Sequence, residues 1–325
     1  MTSGTLNINQ QANTFSGNIT VDGSASVLSI VGSSLGTYAS SNPLGTFTAG
    51  SFKTVTLTNG GTFNLASLNY NVNTTGTNIG AGQVFMIGTG GGTFNVASGS
   101  LFTLDDGIGA GTLATNAELQ GTGDLTKTGQ GILSLGNGTT NFSTFTGNFF
   151  IKDGTLKTGN ATAIFTNVTL GSATTNGTLD INSFGSTITG LYVATGATAS
   201  LQIVGNSSTT GGGVLNLNVS GTDLFSGVIQ NIIGAGTKTT GISMIGTGSL
   251  VLTGANTYTG GTNVQSGTVQ LAGGDNRLAT GSVITLGNGS ASAKLILGGD
   301  STGGCKVCSV KGFSLAMHAP LGAAE

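Results

Sequence analysis

Charge is what this sequence has least of. Only 6% of its 325 residues are Asp, Glu, Lys or Arg, where a soluble globular domain usually carries about 25%. Lys and Arg total 9, Asp and Glu total 11, and the formal net charge is −2. The cations are Lys53, Lys127, Lys152, Lys157, Lys238, Arg277, Lys294, Lys306 and Lys311. They form no basic stripe of the kind that neutralises phosphates, so nucleic acid is not an expected partner. Proline occurs twice, tryptophan not at all and histidine once, at His318. The two cysteines, Cys305 and Cys308, are too few for a disulfide framework. No run approaches the ~20 apolar residues of a membrane span, so no membrane insertion by this segment is expected. Met1 to Gln11 has neither the basic head nor the apolar stretch of an export signal, which makes the chain a piece lacking its signal if it is exported.

Low charge alone would suit a disordered chain, but disordered chains are also poor in apolar residues. Here 37% of residues are hydrophobic, with Val, Ile, Leu and Phe spread along the whole length. Glycine supplies 60 residues, yet not at every third position, and collagen is excluded. What is present is Gly, Thr, Ser and Asn punctuating short β-prone apolar runs, the composition of many short strands joined by tight turns.

Internal repeats decide the architecture. Gly246 to Ala272 reads G-T-G-S-L-V-L-T-G-A-N-T-Y-T-G-G-T-N-V-Q-S-G-T-V-Q-L-A. Ser143 to Leu156, S-T-F-T-G-N-F-F-I-K-D-G-T-L, aligns with Asn256 to Val269 without a gap, and Asn13 to Gly23, N-T-F-S-G-N-I-T-V-D-G, is a third copy. A V-T-L or V-I-T-L strand follows each, at Val55, Val168 and Val283, and then an apolar pair: Phe63 and Leu65, Leu179 and Ile181, Leu295 and Leu297. A smaller echo, G-T-F-N-[LV]-A-S, begins at Gly61 and again at Gly92. Leu250 with Leu252, and Val269 with Leu271, alternate with polar or small residues, which gives each strand one apolar face. Gly260-Gly261, Gly273-Gly274, Asn59-Gly60, Asn137-Gly138 and Asn288-Gly289 offer the positive φ that sharp corners need.

Such strands cannot bury their apolar face alone, whereas stacked coils can. Coils of roughly 20 residues would number about 16 and form a rod of roughly 75 Å at ~4.8 Å per layer, with Thr, Ser and Asn columns bonding from layer to layer. The predicted fold is all-β, a parallel β-solenoid. The alternative is a set of antiparallel β-sandwich repeats joined by Asn-Gly hairpins. One continuous solenoid is expected over residues 1–300, with related segments at about 13–65, 121–181 and 246–297. Residues 301–325, where the repeat stops, read as an atypical C-terminal tail or a cap over the last coil.

The repeated segment resembles the autotransporter-associated β-strand repeat of type V secreted passenger domains, whose members typically read L-T-K-x-G-x-G-x-L-x-L, N-T-Y-x-G-x-T and G-T-L-x-L. Leu125-Thr126-Lys127-Thr128-Gly129-Gln130-Gly131-Ile132-Leu133-Ser134-Leu135 supplies the first element, and Asn256-Thr257-Tyr258-Thr259-Gly260-Gly261-Thr262 supplies the second. Ser226-Gly227-Val228-Ile229 resembles the usual lead-in. The resemblance implies a right-handed parallel β-helix carried through the outer membrane and shown on or released from the cell surface. The middle copy departs from it, with Ser143 and Phe145 where Asn and Tyr are usual. No translocator barrel of roughly ten amphipathic strands follows the repeats.

Candidate sites are few. Asp105 and Asp106 are the only adjacent carboxylates, and neighbours on a strand point to opposite faces. A polysaccharide-acting β-helix enzyme would gather carboxylates beside Arg or Lys, and the only Arg is Arg277. The Asp residues read instead as caps of turns at coil corners. Gly299-Asp300-Ser301-Thr302-Gly303-Gly304 echoes a serine-protease motif with an inserted Thr, and its only possible base, His318, is 17 residues further on. Cys305-Lys306-Val307-Cys308 lacks the βαβ setting of a redox pair and the four ligands of a zinc site, and reads as a local disulfide or incidental thiols. The chain is therefore expected to be no enzyme, with no catalytic, cofactor or metal residues, and its ligand-binding residues are not legible. The expected role is a structural or adhesive passenger segment, with a host-cell or matrix surface, or other copies of itself, as partner. A polysaccharide-acting enzyme and a self-associating extracellular fibre are the alternatives.

Overall fold

A computed structural model describes residues 3–9, 13–31, 44, 53–66, 69–72, 83–104, 119–136, 143–159, 164–274, 277–279, 282–287, 291–298 and 314–317. Among them there is no α-helix, only a single 3-10 turn at Ala199–Leu201 and short strands. The chain forms two compact units, Met1–Phe165 and Thr166–Glu325.

In the first unit one sheet stacks Gly4–Asn9, Ser26–Val31, Gly61–Leu65, Gly92–Val96, Leu125–Thr128 and Phe149–Ile151. A second sheet stacks Ile19–Asp22, Lys53–Thr58, Gln83–Ile87, Leu119–Gly121 and Ser143–Phe145. A third runs through Tyr70–Val72, Leu101–Leu104, Ile132–Leu135 and Gly154–Thr158. In the second unit the corresponding stack is Thr187–Val193, Gly213–Leu217, Thr240–Met244, Thr262–Val264, Val283–Leu286 and Ser314–Met317. Beside it lie Gly177–Asp180, Ile203–Asn206 and Val228–Ile232 in one sheet, and Thr222–Phe225, Ser249–Leu252, Gly267–Leu271 and Ala293–Leu297 in another.

Neighbouring strands in these stacks pair in parallel, as in Gly61–Leu65 with Gly92–Val96 and Ser249–Leu252 with Gly267–Leu271. Parallel neighbours need a connection that travels round the coil and cannot be joined by a tight hairpin. That is a parallel β-solenoid, and it overturns the antiparallel sandwich alternative. The G-T-F-N echo stacks residue on residue, Gly61 on Gly92 through Leu65 on Val96. The expected coil length of roughly 20 residues is only the lower limit: paired positions lie from 19 apart (Ser249 to Thr268) to 36 apart (Ile19 to Val55). Connections at the corners vary in length while the strands stay short, so periodicity within a strand carries no information on the coil.

The inward faces are mainly apolar. Leu250, Leu252, Val269 and Leu271 are all buried, as their alternation requires. In the first unit Phe63, Phe85, Phe94 and Phe102 pack ring against ring, at centroid distances of 4.9 Å (Phe63 to Phe85) and 5.2 Å (Phe94 to Phe102). Outward positions form the expected polar ladder. Asn64 Nδ2 donates to Ser29 Oγ (2.8 Å), Asn95 Nδ2 to Asn64 Oδ1 (2.7 Å), and Thr128 Oγ1 to Asn95 Oδ1 (3.1 Å). Of the tail 301–325, Ser314–Met317 is described and pairs in parallel with Val283–Leu286; the rest lies outside the described residues.

Candidate functional site

The repeated motif residues converge on coil corners. In the middle copy Lys127 follows Leu125-Thr126 on a strand whose alternation turns its side chain inward, and it is fully buried. A buried ammonium needs partners for its three donors. Nζ donates to three backbone carbonyls: Thr128 O (2.9 Å), Gly129 O (2.5 Å) and Asp153 O (3.0 Å). Burial lowers the Lys127 pKa to about 8, against the opposing pull of the Asp153 charge. Asp153 Oδ1 accepts from the N–H of Gly154 (3.0 Å), so that carboxylate caps the next corner.

The third copy solves the same corner differently. Aligning the two Gly-x-Gly turns places Met244 at Lys127, and the ungapped alignment of Ser143 to Leu156 with Asn256 to Val269 places Ser266 at Asp153. Ser266 Oγ lies 2.5 Å from Ile245 O and 2.9 Å from Gly246 O, the carbonyls equivalent to those of Thr128 and Gly129, and shares its hydrogen between them. A lysine from the coil below is thus replaced by a serine from the coil above.

The N-T-Y element also holds a corner. Asn256 is buried, and its Oδ1 accepts from Ile229 N (2.8 Å) while Nδ2 donates to Gly254 O (3.1 Å) and Arg277 O (3.0 Å). One amide therefore ties three successive coils. Tyr258 is buried with its hydroxyl 2.6 Å from Thr262 Oγ1, and burial pushes its pKa far above the usual tyrosine range. In the middle copy the aligned pair is Phe145 and Phe149, packed edge to face at 4.9 Å. A hydrogen bond in one copy is an aromatic contact in the other. Gly260 lies so close to the neighbouring coil that a Cβ there would sit 2.5 Å from Thr240 O, while Gly261 takes φ +90°. Asn256→Ala takes the side-chain partner from Ile229 N–H and Arg277 O, while Gly254 O keeps the backbone N–H of residue 256, and should lower the denaturation free energy by about 2–3 kcal/mol. Tyr258→Phe, which loses only the hydroxyl bond, should cost about 1 kcal/mol. Urea denaturation curves of both variants measure the difference.

The outward surface of the second unit carries a shallow groove of about 500 Å³. It arises from register. Val214 pairs with Gly241, Asn216 with Ser243, Ser243 with Asn263, and Asn263 with Thr285. The outward residues shrink to Gly and Ser on the middle strand, between Val214 and Val283, which are 40% and 47% exposed. Asn216 Nδ2 donates to Gly185 O (3.3 Å), and Gln265 Nε2 donates to Ser243 Oγ (3.0 Å), which fixes both amides along the groove. The lining has amides, hydroxyls and valines, and no charged side chain.

One family matches the chain, at residues 3–23, 125–157 and 244–271: the passenger-associated-transport-repeat. The chain carries three such repeats. Comparisons with curated proteins and with solved structures give no match. The second transport repeat spans both Lys127 and Asp153, and the third spans Met244, Asn256, Tyr258 and Ser266. The groove combines Thr262, Asn263 and Gln265 of the third transport repeat with residues outside it, such as Val214 and Val283.

Of the residues weighed from sequence, Asp22 accepts from Asn59 Nδ2 (2.7 Å), Asp124 from the N–H of Asn148 (3.0 Å), and Asp180 from the N–H groups of Asn182 (3.0 Å) and Ser207 (2.9 Å). Arg277 Nη1 donates to Thr253 O (2.9 Å) and Nη2 to Gly273 O. Asp105, Asp106, Asp300, Ser301, Cys305, Cys308 and His318 lie outside the described residues, as do Asn137-Gly138 and Asn288-Gly289. Among the described residues no group of three or more His, Cys, Asp or Glu could hold a metal ion.

Several polar groups were not anticipated. Lys53 is buried, donates to Phe15 O (3.1 Å) and lies 3.4 Å above the Phe15 ring, and burial lowers its pKa. Gln202 and Asn206 are buried amides; Asn206 accepts from Ser183 N and Ser208 N and donates to Gly211 O and Thr239 O. Tyr192 donates to Asp223 Oδ1 (2.5 Å) while Leu191 N donates to Oδ2 (3.1 Å), and burial followed by Asp223 pushes the tyrosine pKa up to about 12. The inward alternation of Lys53 and Lys127 was the one available signal for the lysines, and it was visible in the strands that carry them.

Proposed function

We propose that this chain is a structural passenger segment of an autotransporter-like protein, displayed on or released from a bacterial surface, whose stacked coils present adhesive surface to a host cell or matrix. The observation that carries this reading is the three transport repeats, with the described motif residues engaged in coil corners. Residues used to hold corners are not free to bind a partner, which leaves binding to the outward columns. Those columns carry Thr, Asn and Ser with isolated exposed apolar residues such as Leu224 and Leu201. Absence of catalysis is supported by the carboxylates Asp22, Asp124, Asp153, Asp180 and Asp223, each engaged by an amide or hydroxyl donor. Among the described residues no helix is long and apolar enough to cross a membrane.

Beads coated with the purified chain should adhere to cultured host cells or to extracellular-matrix coatings more than beads coated with an unrelated β-solenoid of similar charge. Equal adherence would remove the adhesive role. Aggregation of the beads with one another, without adherence, would favour the self-associating fibre.

A further inference from the structure

We infer that the groove of the second unit is a binding site for a neutral, hydroxyl-rich ligand, a glycan segment without charged substituents. This deepens the adhesive reading by naming the chemistry of one surface. The groove excludes other classes in turn. Its lining has no charge to attract a sulfated or sialylated chain, a phosphate or a nucleic acid. A peptide cannot add to it as a strand. Thr240–Met244 is paired on one side with Gly213–Leu217 and on the other with Thr262–Val264, so the main-chain groups are consumed. A purely apolar ligand would strip water from the side-chain oxygens of Asn216 and Gln265 and from the Asn263 amide without replacing its hydrogen bonds. A sugar polymer satisfies the remaining conditions. Its hydroxyls both donate and accept, matching side-chain amides and hydroxyls that do the same. The C–H faces of its rings fit the exposed Val214 and Val283. Layers recur every ~4.8 Å, so successive sugar rings meet a fresh amide or hydroxyl on each coil: Asn216, Ser243, Asn263 and Thr285 in register.

The test uses the full chain and immobilised neutral oligosaccharides (malto-, cello- and xylo-series), with sulfated dextran and an extended peptide as the other probes. Binding by at least one neutral series is expected. Asn263→Ala with Thr285→Ala, both on the outward face, should weaken it about tenfold or more, equivalent to about one lost hydrogen bond. Thr62→Ala with Thr93→Ala, on the outward face of the first unit, should change nothing. Thermal melting of the variants guards against misfolding. Binding of sulfated dextran or peptide in preference, no binding of any neutral series, or full binding by the Asn263/Thr285 variant overturns the assignment. Host-cell adherence read on the same variants separates the two readings. Adherence that survives loss of oligosaccharide binding keeps the adhesive role and removes this groove from it. Oligosaccharide binding without adherence keeps the groove and removes the adhesive role.

Discussion

Replacing Lys127 by Met lowers the unfolding free energy of the first unit by about 3 kcal/mol or more, and adding Asp153→Ser restores most of it. The single change removes the donor that serves the carbonyls of Thr128, Gly129 and Asp153. Each buried carbonyl left without a partner costs about 1–3 kcal/mol. The second change installs the hydroxyl that the third repeat uses, where Ser266 serves Ile245 O and Gly246 O beside Met244. A double-mutant cycle by urea denaturation measures the coupling, and strictly additive losses would show that the two corners are not equivalent. The same lysine makes stability depend on pH. Its folded pKa of about 8 lies below the ordinary lysine value of 10.5, so between these values the unfolded chain holds a proton the folded chain has released. Stability therefore rises with pH across that window, by at most about 1.4 kcal/mol per unit, and the cost of burying the charge is fully present below it. In Lys127→Met this rise should vanish, which denaturation at pH 8 and pH 10 would reveal.

Phe102→Ala should cost the first unit about 3–5 kcal/mol. Phe102 contacts Phe63 (5.2 Å), Phe85 (5.3 Å), Phe94 (5.2 Å) and Tyr70 (6.0 Å) in one tilted and edge-on cluster. Each such pair contributes about 0.5–1.5 kcal/mol beyond the area it buries. Stability in stacked coils is set by nearest-neighbour interfaces, so the damage should stay local. Amide hydrogen exchange should quicken in the layers from Lys53 to Leu104 and change little in Gly213–Leu271. Phe102→Leu, which keeps an apolar side chain in place, should cost less than half as much.

Strand identity was legible because inward and outward residues alternate: Leu250, Leu252, Val269 and Leu271 point where their spacing says. The ladder Ser29, Asn64, Asn95 and Thr128 was legible as a principle of stacking but not residue by residue. Register depends on coil length, and corners of different lengths leave no fixed period to read. The groove was hidden for the same reason. Val214, Asn263 and Val283 are far apart in sequence and meet only through three successive pairings: Gly213–Leu217 with Thr240–Met244, that strand with Thr262–Val264, and Thr262–Val264 with Val283–Leu286. The third copy has Met244 where the middle copy has Lys127. The compensation by Ser266 appears only once the corner of the next coil is in place.

Distances between spin labels on stacked outward threonines test the parallel solenoid most directly. Cysteines would be placed at Thr62 with Thr93, and at Thr62 with Thr126, with Cys305 and Cys308 changed to Ser. Thr62 pairs with Thr93 and Thr93 with Thr126. The coils therefore predict that the separation grows by one layer, ~4.8 Å, from the first pair to the second, with both labels on one face. A second pair no farther apart than the first, or two labels separated by the width of a sandwich, would contradict it.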